Sequence, residues 1–267
     1  LQLRDNDLIF APISKQKNLI MKKISIVLFA SMAFFASCDK KATLPSNNNN
    51  GTAAATPSPA PTNGDGFLVA LQTITNTTVA GFPINTVFGT GLAGFGNLAA
   101  GTYTDVGTIT LNSKAMTKNA NNTYTYIPAT GDITGVDLNG SIDWNVGGGN
   151  GIPAFTHNAT AQDLPNSGDL SAFTSINSAN DFSLSVSGSI SNSDSVYFQI
   201  SGANGSVLKR MASNTTTALF TAAELQTIGK GTGTVVVAPW NLDSTTQGGK
   251  KIYVINELAL SRVVDIQ

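Results

Sequence analysis

From residue 67 onward the sequence predicts an all-β fold, an antiparallel β-sandwich. Three observations carry this. Beyond Phe67 the chain runs in short stretches rich in Val, Ile, Thr, Phe and Tyr, with apolar and polar residues alternating at the period of a half-buried strand. Clusters of Gly, Asn, Asp and Ser separate these stretches, and those are the residues that turns require. One stretch, near 222–228, carries a helix signal.

Strands predicted at Phe67–Thr75, Thr78–Phe88, Val106–Asn112, Thr123–Ile127 and Ser141–Val146 make an N-terminal β-domain over 67–152. Loop text at Gly147-Gly148-Gly149-Asn150-Gly151-Ile152-Pro153 and Leu164-Pro165-Asn166-Ser167-Gly168 marks the boundary to a second domain over 153–267. One merged sandwich is the alternative. In the second half Phe182, Leu184, Val186 and Ile190 are interleaved with Ser183, Ser185, Ser187 and Ser189, one face apolar and the other hydroxylated. The turn Ser191-Asn192-Ser193-Asp194 leads on to Val196, Phe198 and Ile200, so the two runs are predicted to pair as a hairpin.

Further strands read at Val207–Met211, Thr217–Phe220, Thr234–Trp240, and Ile252–Leu260 with its continuation Arg262–Ile266. About seven strands in roughly 110 residues is the count of an immunoglobulin-like sandwich, which is the architecture predicted for 153–267. Thr221-Ala222-Ala223-Glu224 is a capping box flanked by Phe220 and Leu225 as a hydrophobic staple, and Gly229 can end the turn. These signals place the single short helix at 222–228.

The text before Phe67 is of another kind. Met21, Lys22 and Lys23 precede the apolar run Ile24–Phe35, and Ala36 and Ser37 lead directly to Cys38, which together make a signal-peptide pattern over 21–37. At helical rise this run covers roughly 18 Å, short of the ~30 Å hydrocarbon core, and so reads as a cleaved segment rather than a permanent span. Phe35-Ala36-Ser37-Cys38 resembles a bacterial lipobox, which implies cleavage before Cys38 and a lipid anchor on its sulfur. A stray thiol after an ordinary signal peptide is the alternative. Residues 1–20 read as an upstream extension. Residues 38–66, with Asn47-Asn48-Asn49-Asn50 and Pro57-Ser58-Pro59-Ala60-Pro61, read as a disordered spacer.

Composition narrows the chemistry. Hydrophobic residues at 41% can build a core, whereas 12% charged residues and a net charge of -1 provide no basic face, so no nucleic acid is expected as a partner. Cys38 is the only cysteine, which excludes an internal disulfide and a multi-cysteine metal cage. His157 is the only histidine and no serine sits in a G-x-S-x-G elbow, leaving little for a catalytic triad or a histidine zinc site; no cofactor is expected. Ten Asp and two Glu follow Gly66, mostly beside Asn, Gly or Ser where they close turns, so a hydrolase using paired aspartates is only a third reading.

Asp137, Asn139, Ser141 and Asp143 set oxygens at alternate positions, a calcium candidate whose glycine is fourth rather than sixth; a hairpin turn explains the same residues. Gly89-Thr90-Gly91-Leu92-Ala93-Gly94 matches a dinucleotide fingerprint, but no helix signal follows it, and the match reads as accidental. Aromatic rings can stack on sugars. Trp144 and Trp240 share strand faces with apolar residues and read first as core, while Tyr124 and Tyr126, together on one face of a Thr-rich strand, are the better surface candidates. The glycan-binding candidates are therefore Tyr124, Tyr126 and Trp240.

The leader, the spacer and the Ser/Thr/Asn/Gly-rich strands together look like Bacteroidetes lipoproteins with immunoglobulin-like domains. Phe220–Leu225, Val237-Ala238-Pro239-Trp240-Asn241 and Gly248–Asn256 carry most of that resemblance. It implies an outer-membrane address. Cys38-Asp39-Lys40-Lys41 lacks the acidic tract of surface-displayed members, which leaves the periplasmic or cell-surface face open. Asp194-Ser195-Val196 and Asp243-Ser244-Thr245 resemble that phylum's O-glycosylation motif, making Ser195 and Ser244 candidates. The functional expectation is a non-enzymatic, membrane-anchored envelope protein that binds a glycan or an envelope protein. The alternative is a structural or assembly subunit whose strand edges pair with other chains.

Overall fold

In the computed structural model, which describes residues 63–79, 82–129, 131–160, 163–170 and 172–267, two long hairpins build the central sheet. The predicted leader, Cys38 and residues 38–62 of the spacer lie outside the described residues. The principal elements are β1 (Gly66–Val79), β2 (Phe82–Asn97), β3 (Ile109–Leu111), β4 (Tyr124–Thr125), β5 (Ser141–Val146) and β6 (Phe155–Thr160). After these come β7 (Phe182–Ser185), β8 (Ser195–Gly202), β9 (Gly205–Ala212), β10 (Thr217–Phe220), the helix α1 (Ala222–Thr227), β11 (Gly231–Gln247) and β12 (Lys250–Ile266).

The central sheet runs β9-β8-β11-β12-β1-β2-β4. Gln247 pairs with Lys250, so β11 and β12 are joined by the two-residue loop Gly248-Gly249, whose φ values of 57° and 79° are left-handed at both positions. A primed hairpin turn needs that conformation and glycine adopts it without steric cost. On its other side β12 pairs in parallel with β1, from Gly66 opposite Ile252 to Asn76 opposite Arg262. Pro239 sits inside β11, where its missing N–H cannot join a ladder; the β11–β12 pairing is interrupted at Ala238 and Pro239 and resumes at Trp240.

Alternation along these strands loads one face of the sheet with two cores. Leu68, Ala70, Phe95, Ile252 and Val254 belong to the first, which β3, β5 and β6 complete with Trp144, Ile109 and Leu111. Further along the same strands, Leu258, Leu260, Val235 and Val237 belong to the second, which Phe198, Phe220 and Leu225 complete. Between the two long hairpins the first core ends at Leu164 and the second begins at Leu170, so Phe155 and Leu164, which the sequence reading assigned to 153–267, pack in the first core. Both cores rest on one sheet because β1 and β12 run together past the boundary.

The all-β class and the sandwich-like arrangement follow the sequence reading, as does the helix. Thr221 Oγ1 accepts the Glu224 N–H at 3.3 Å and the Thr221 N–H donates to Glu224 Oε2 at 2.8 Å, so both halves of the capping box form. The predicted hairpin between 182–190 and 196–200 does not form. Phe182–Ser185 pairs with β10, Ile190–Ser191 pairs with Asn166–Ser167, and β8 pairs with β9 and β11. Gly188, at φ 80°, breaks the run, and alternation specifies a face without specifying a partner. Strand β6, for which no strand was predicted, pairs along its length with β5.

The fingerprint-like glycines have a packing role. The Gly89 N–H donates to Thr134 O at 2.9 Å and its carbonyl accepts the Val136 N–H at 2.8 Å; a Cβ at Gly89 would lie 1.9 Å from Val136 O. Gly89→Ala is expected to cost more than about 2 kcal/mol in urea unfolding. Gly140→Ala, where nothing lies within 4 Å of the added carbon, should stay within about 0.5 kcal/mol of the parent.

Candidate binding cleft

Where β1 and β12 begin, backbone pairing runs out and side chains take over. The Asp65 N–H donates to Lys251 O at 2.8 Å and Asp65 O accepts the Gly96 N–H at 2.8 Å, which ties the entering chain to both neighbours. The Asp65 carboxylate accepts from Lys250 Nζ and from the Lys251 N–H, each at 3.0 Å. The lysine hydrogen bond first, then the backbone one, hold this carboxyl below the usual range. Tyr253 donates its hydroxyl to Asn63 O at 2.8 Å. On the opposite rim Asn97 Oδ1 accepts the Ala100 N–H at 3.1 Å, and Asn150 Nδ2 donates to Asp105 O at 2.6 Å.

These groups border an open cleft of about 470 Å³ lined by Asn63, Asp65, Asn97, Thr104, Asn150 and Lys250. Each rim amide uses one half for the fold, Asn97 its carbonyl and Asn150 its amino group, so the lining keeps an amide donor and an amide acceptor. The Thr104 hydroxyl and the remaining Lys250 N–H groups add to these, and Asp65 neutralises the lysine charge. Donors and acceptors together, without net charge, match a hydroxyl-rich ligand.

The residues singled out from sequence fall elsewhere. Tyr124 and Tyr126 are buried in the first core, which corrects their reading as surface platforms. Their hydroxyls donate to Asp105 Oδ1 at 2.7 Å and to Asp132 Oδ2 at 2.9 Å, and burial raises the pKa of both phenols. A polar tip with a carboxylate partner lets the ring go inside. Trp240 is buried too, stacked on Tyr197 with centroids 5.8 Å apart and with the Arg210 guanidinium 4.9 Å above its ring.

Asp137, Asn139, Ser141 and Asp143 form a turn. Asn139 donates its N–H and Nδ2 to Asp137 Oδ1 at 3.0 and 2.9 Å, Ser141 Oγ donates to Asp143 Oδ2 at 2.7 Å, and Asn112 bridges the turn to Asp143. Among the described residues no three His, Cys, Asp or Glu side chains gather as a metal site. Ser195 is fully buried beside Arg210, so its hydroxyl is not offered for glycosylation on the folded chain, whereas Ser244 is exposed. His157 is half-buried on β6, opposite Trp144.

Sequence reasoning missed Glu257. It stands on the second face of the sheet, in register with Trp240 and Leu71, near an apolar cluster of Leu71, Val236, Ala238 and Ala259. It is 4% exposed, and burial alone pushes its carboxyl up to about 8. The signal in the sequence was one acid inside the apolar run Ile252–Leu260. Compared with protein-family models, with curated proteins and with solved structures, the chain matches none.

A carboxyl raised on folding binds its proton more tightly in the native state, so its contribution is fully present below the unfolded value and is lost as pH rises through the folded one. Stability should therefore fall between about pH 4.5 and 8, at roughly 1.4 kcal/mol per unit as an upper slope. Glu257→Gln should flatten this dependence and exceed the parent at pH 8. Urea unfolding across pH measures it; an unchanged slope in the variant would remove Glu257 as the cause.

Proposed function

We propose that the protein is a lipid-anchored, non-enzymatic component of the cell envelope that binds a glycan through the cleft between the starts of β1 and β12. The observation that carries this reading is the cleft lining, where amides, a hydroxyl and a neutralised lysine offer paired hydrogen-bonding groups without a strong field. The chain supports it at both levels. Hydrogen-bonded rims hold Asn97 and Asn150 in place, which limits the entropy lost on binding. The signal-like run ending in Cys38, followed by a polar spacer, supports export and anchoring in the outer membrane.

A glycan array probed with the protein tests the binding arm. Lys250→Ala and Asn97→Ala should each weaken the strongest hit by about tenfold, the loss of one well-made polar contact, and Asn97→Ala should also lower stability by about 1 kcal/mol, because the Ala100 N–H loses its cap. Uniform background across the array would reject the glycan. For the anchor, labelled palmitate should enter the parent in cells and fail to enter Cys38→Ser; labelling equal in both would remove Cys38 as the lipid site.

A further inference from the structure

The central sheet ends at β9, an eight-residue strand of sequence GSVLKRMA. Its inner side is fully occupied, since every residue from Gly205 to Ala212 pairs in unbroken register with β8. On its outer side, no backbone hydrogen bond links Gly205–Met211 to another described element; only the Ala212 carbonyl is used, by the Thr215 N–H. An open row of N–H and C=O groups of this length is a template for another strand.

Natural edges are commonly blunted by a proline, a bulge or a lysine projecting along the edge. β9 has no proline, and its pairing with β8 has no bulge. Its two charges are drawn away to the faces. Lys209 Nζ meets Glu224 Oε2 at 2.9 Å and lies over the Phe220 ring, while Arg210 stacks on Trp240 and Tyr197 on the opposite face. What the middle of the strand presents instead is Leu208, 47% exposed.

We propose that β9 is a strand-addition edge whose partner is β9 of a second copy of this chain, paired antiparallel about a two-fold axis at Leu208. That register is self-complementary. It sets Leu208 against Leu208, Val207 against Lys209, Ser206 against Arg210 and Gly205 against Met211, so small residues oppose large ones and no like charges lie directly opposite. The two exposed leucines cover each other on one face, and the two sheets continue as one. The contact is isologous, so it closes at a dimer and leaves no further edge of this kind open. It stands independently of the cleft and of its ligand.

Disulfide trapping in the full chain tests the register. In a Cys38→Ser background the engineered thiol is the only one, and Leu208→Cys would bring two sulfurs within bonding reach across the axis. Mild oxidation should convert most of Leu208→Cys to a linked dimer, while Lys209→Cys, set opposite Val207 on the other face, should stay unlinked. Light scattering of the unsubstituted chain should show its mass rising toward two chains with concentration, and Leu208→Pro, which removes an N–H on the outer side and leaves the Val207 bond to β8 intact, should abolish that rise with the circular dichroism of the chain unchanged. A mass that stays at one chain, or equal trapping at positions 208 and 209, would overturn the proposal.

Discussion

Everything in this structure hangs on β12 being hydrogen-bonded on both sides. Its antiparallel partner β11 is local, joined through Gly248-Gly249, whereas its parallel partner β1 lies more than half the chain away. A strand so placed is covered on both faces, and Ile252–Ser261 is buried without interruption. Because side chains alternate strictly, a slip of one residue in the β1–β12 register would move Leu258 and Leu260 out of the second core and bring Glu257 into it. The parallel pairing is thus the costliest contact to form, and also the one that joins both ends of the folded chain.

Strand length explains why one sheet carries two cores. The four central strands run 14 to 17 residues, roughly three times the usual length, so the segments between them cover the sheet in two separate places. Between the hairpins, residues from Val106 to Leu164 belong to the first core and residues from Leu170 to Ile228 to the second. The cleft follows from the same geometry. It opens where β1 and β12 start together, and there the unpaired backbone is satisfied by Asp65, Asn97 and the loop at Asn150. Small polar side chains that complete the fold also line the concave surface, which makes structure and recognition share residues.

Much of the fold was legible because strand faces, turns and caps are local properties. The alternation at 196–200, the apolar run at 252–260 and the capping box at Thr221 all appear in the sequence where the structure uses them. The site was far less legible. Asp65 and Lys250 are separated by 185 positions, and nothing in either neighbourhood announces the other. Tyr124 and Tyr126 were misread for a related reason, since a Thr-rich strand looks exposed until Asp105 and Asp132 arrive to satisfy the hydroxyls.

Residue order alone settles what period-two patterning and short-range hydrogen bonding can settle: an all-β chain, the inward side of the strands whose apolar residues alternate, and one capped helix. Which strand lies beside which, how the two cores share a sheet, where a cleft opens and which edge stays bare belong to long-range pairing. That pairing is made by backbone groups common to nearly every residue, so its partners are chosen by the assembled geometry and not by any local signal.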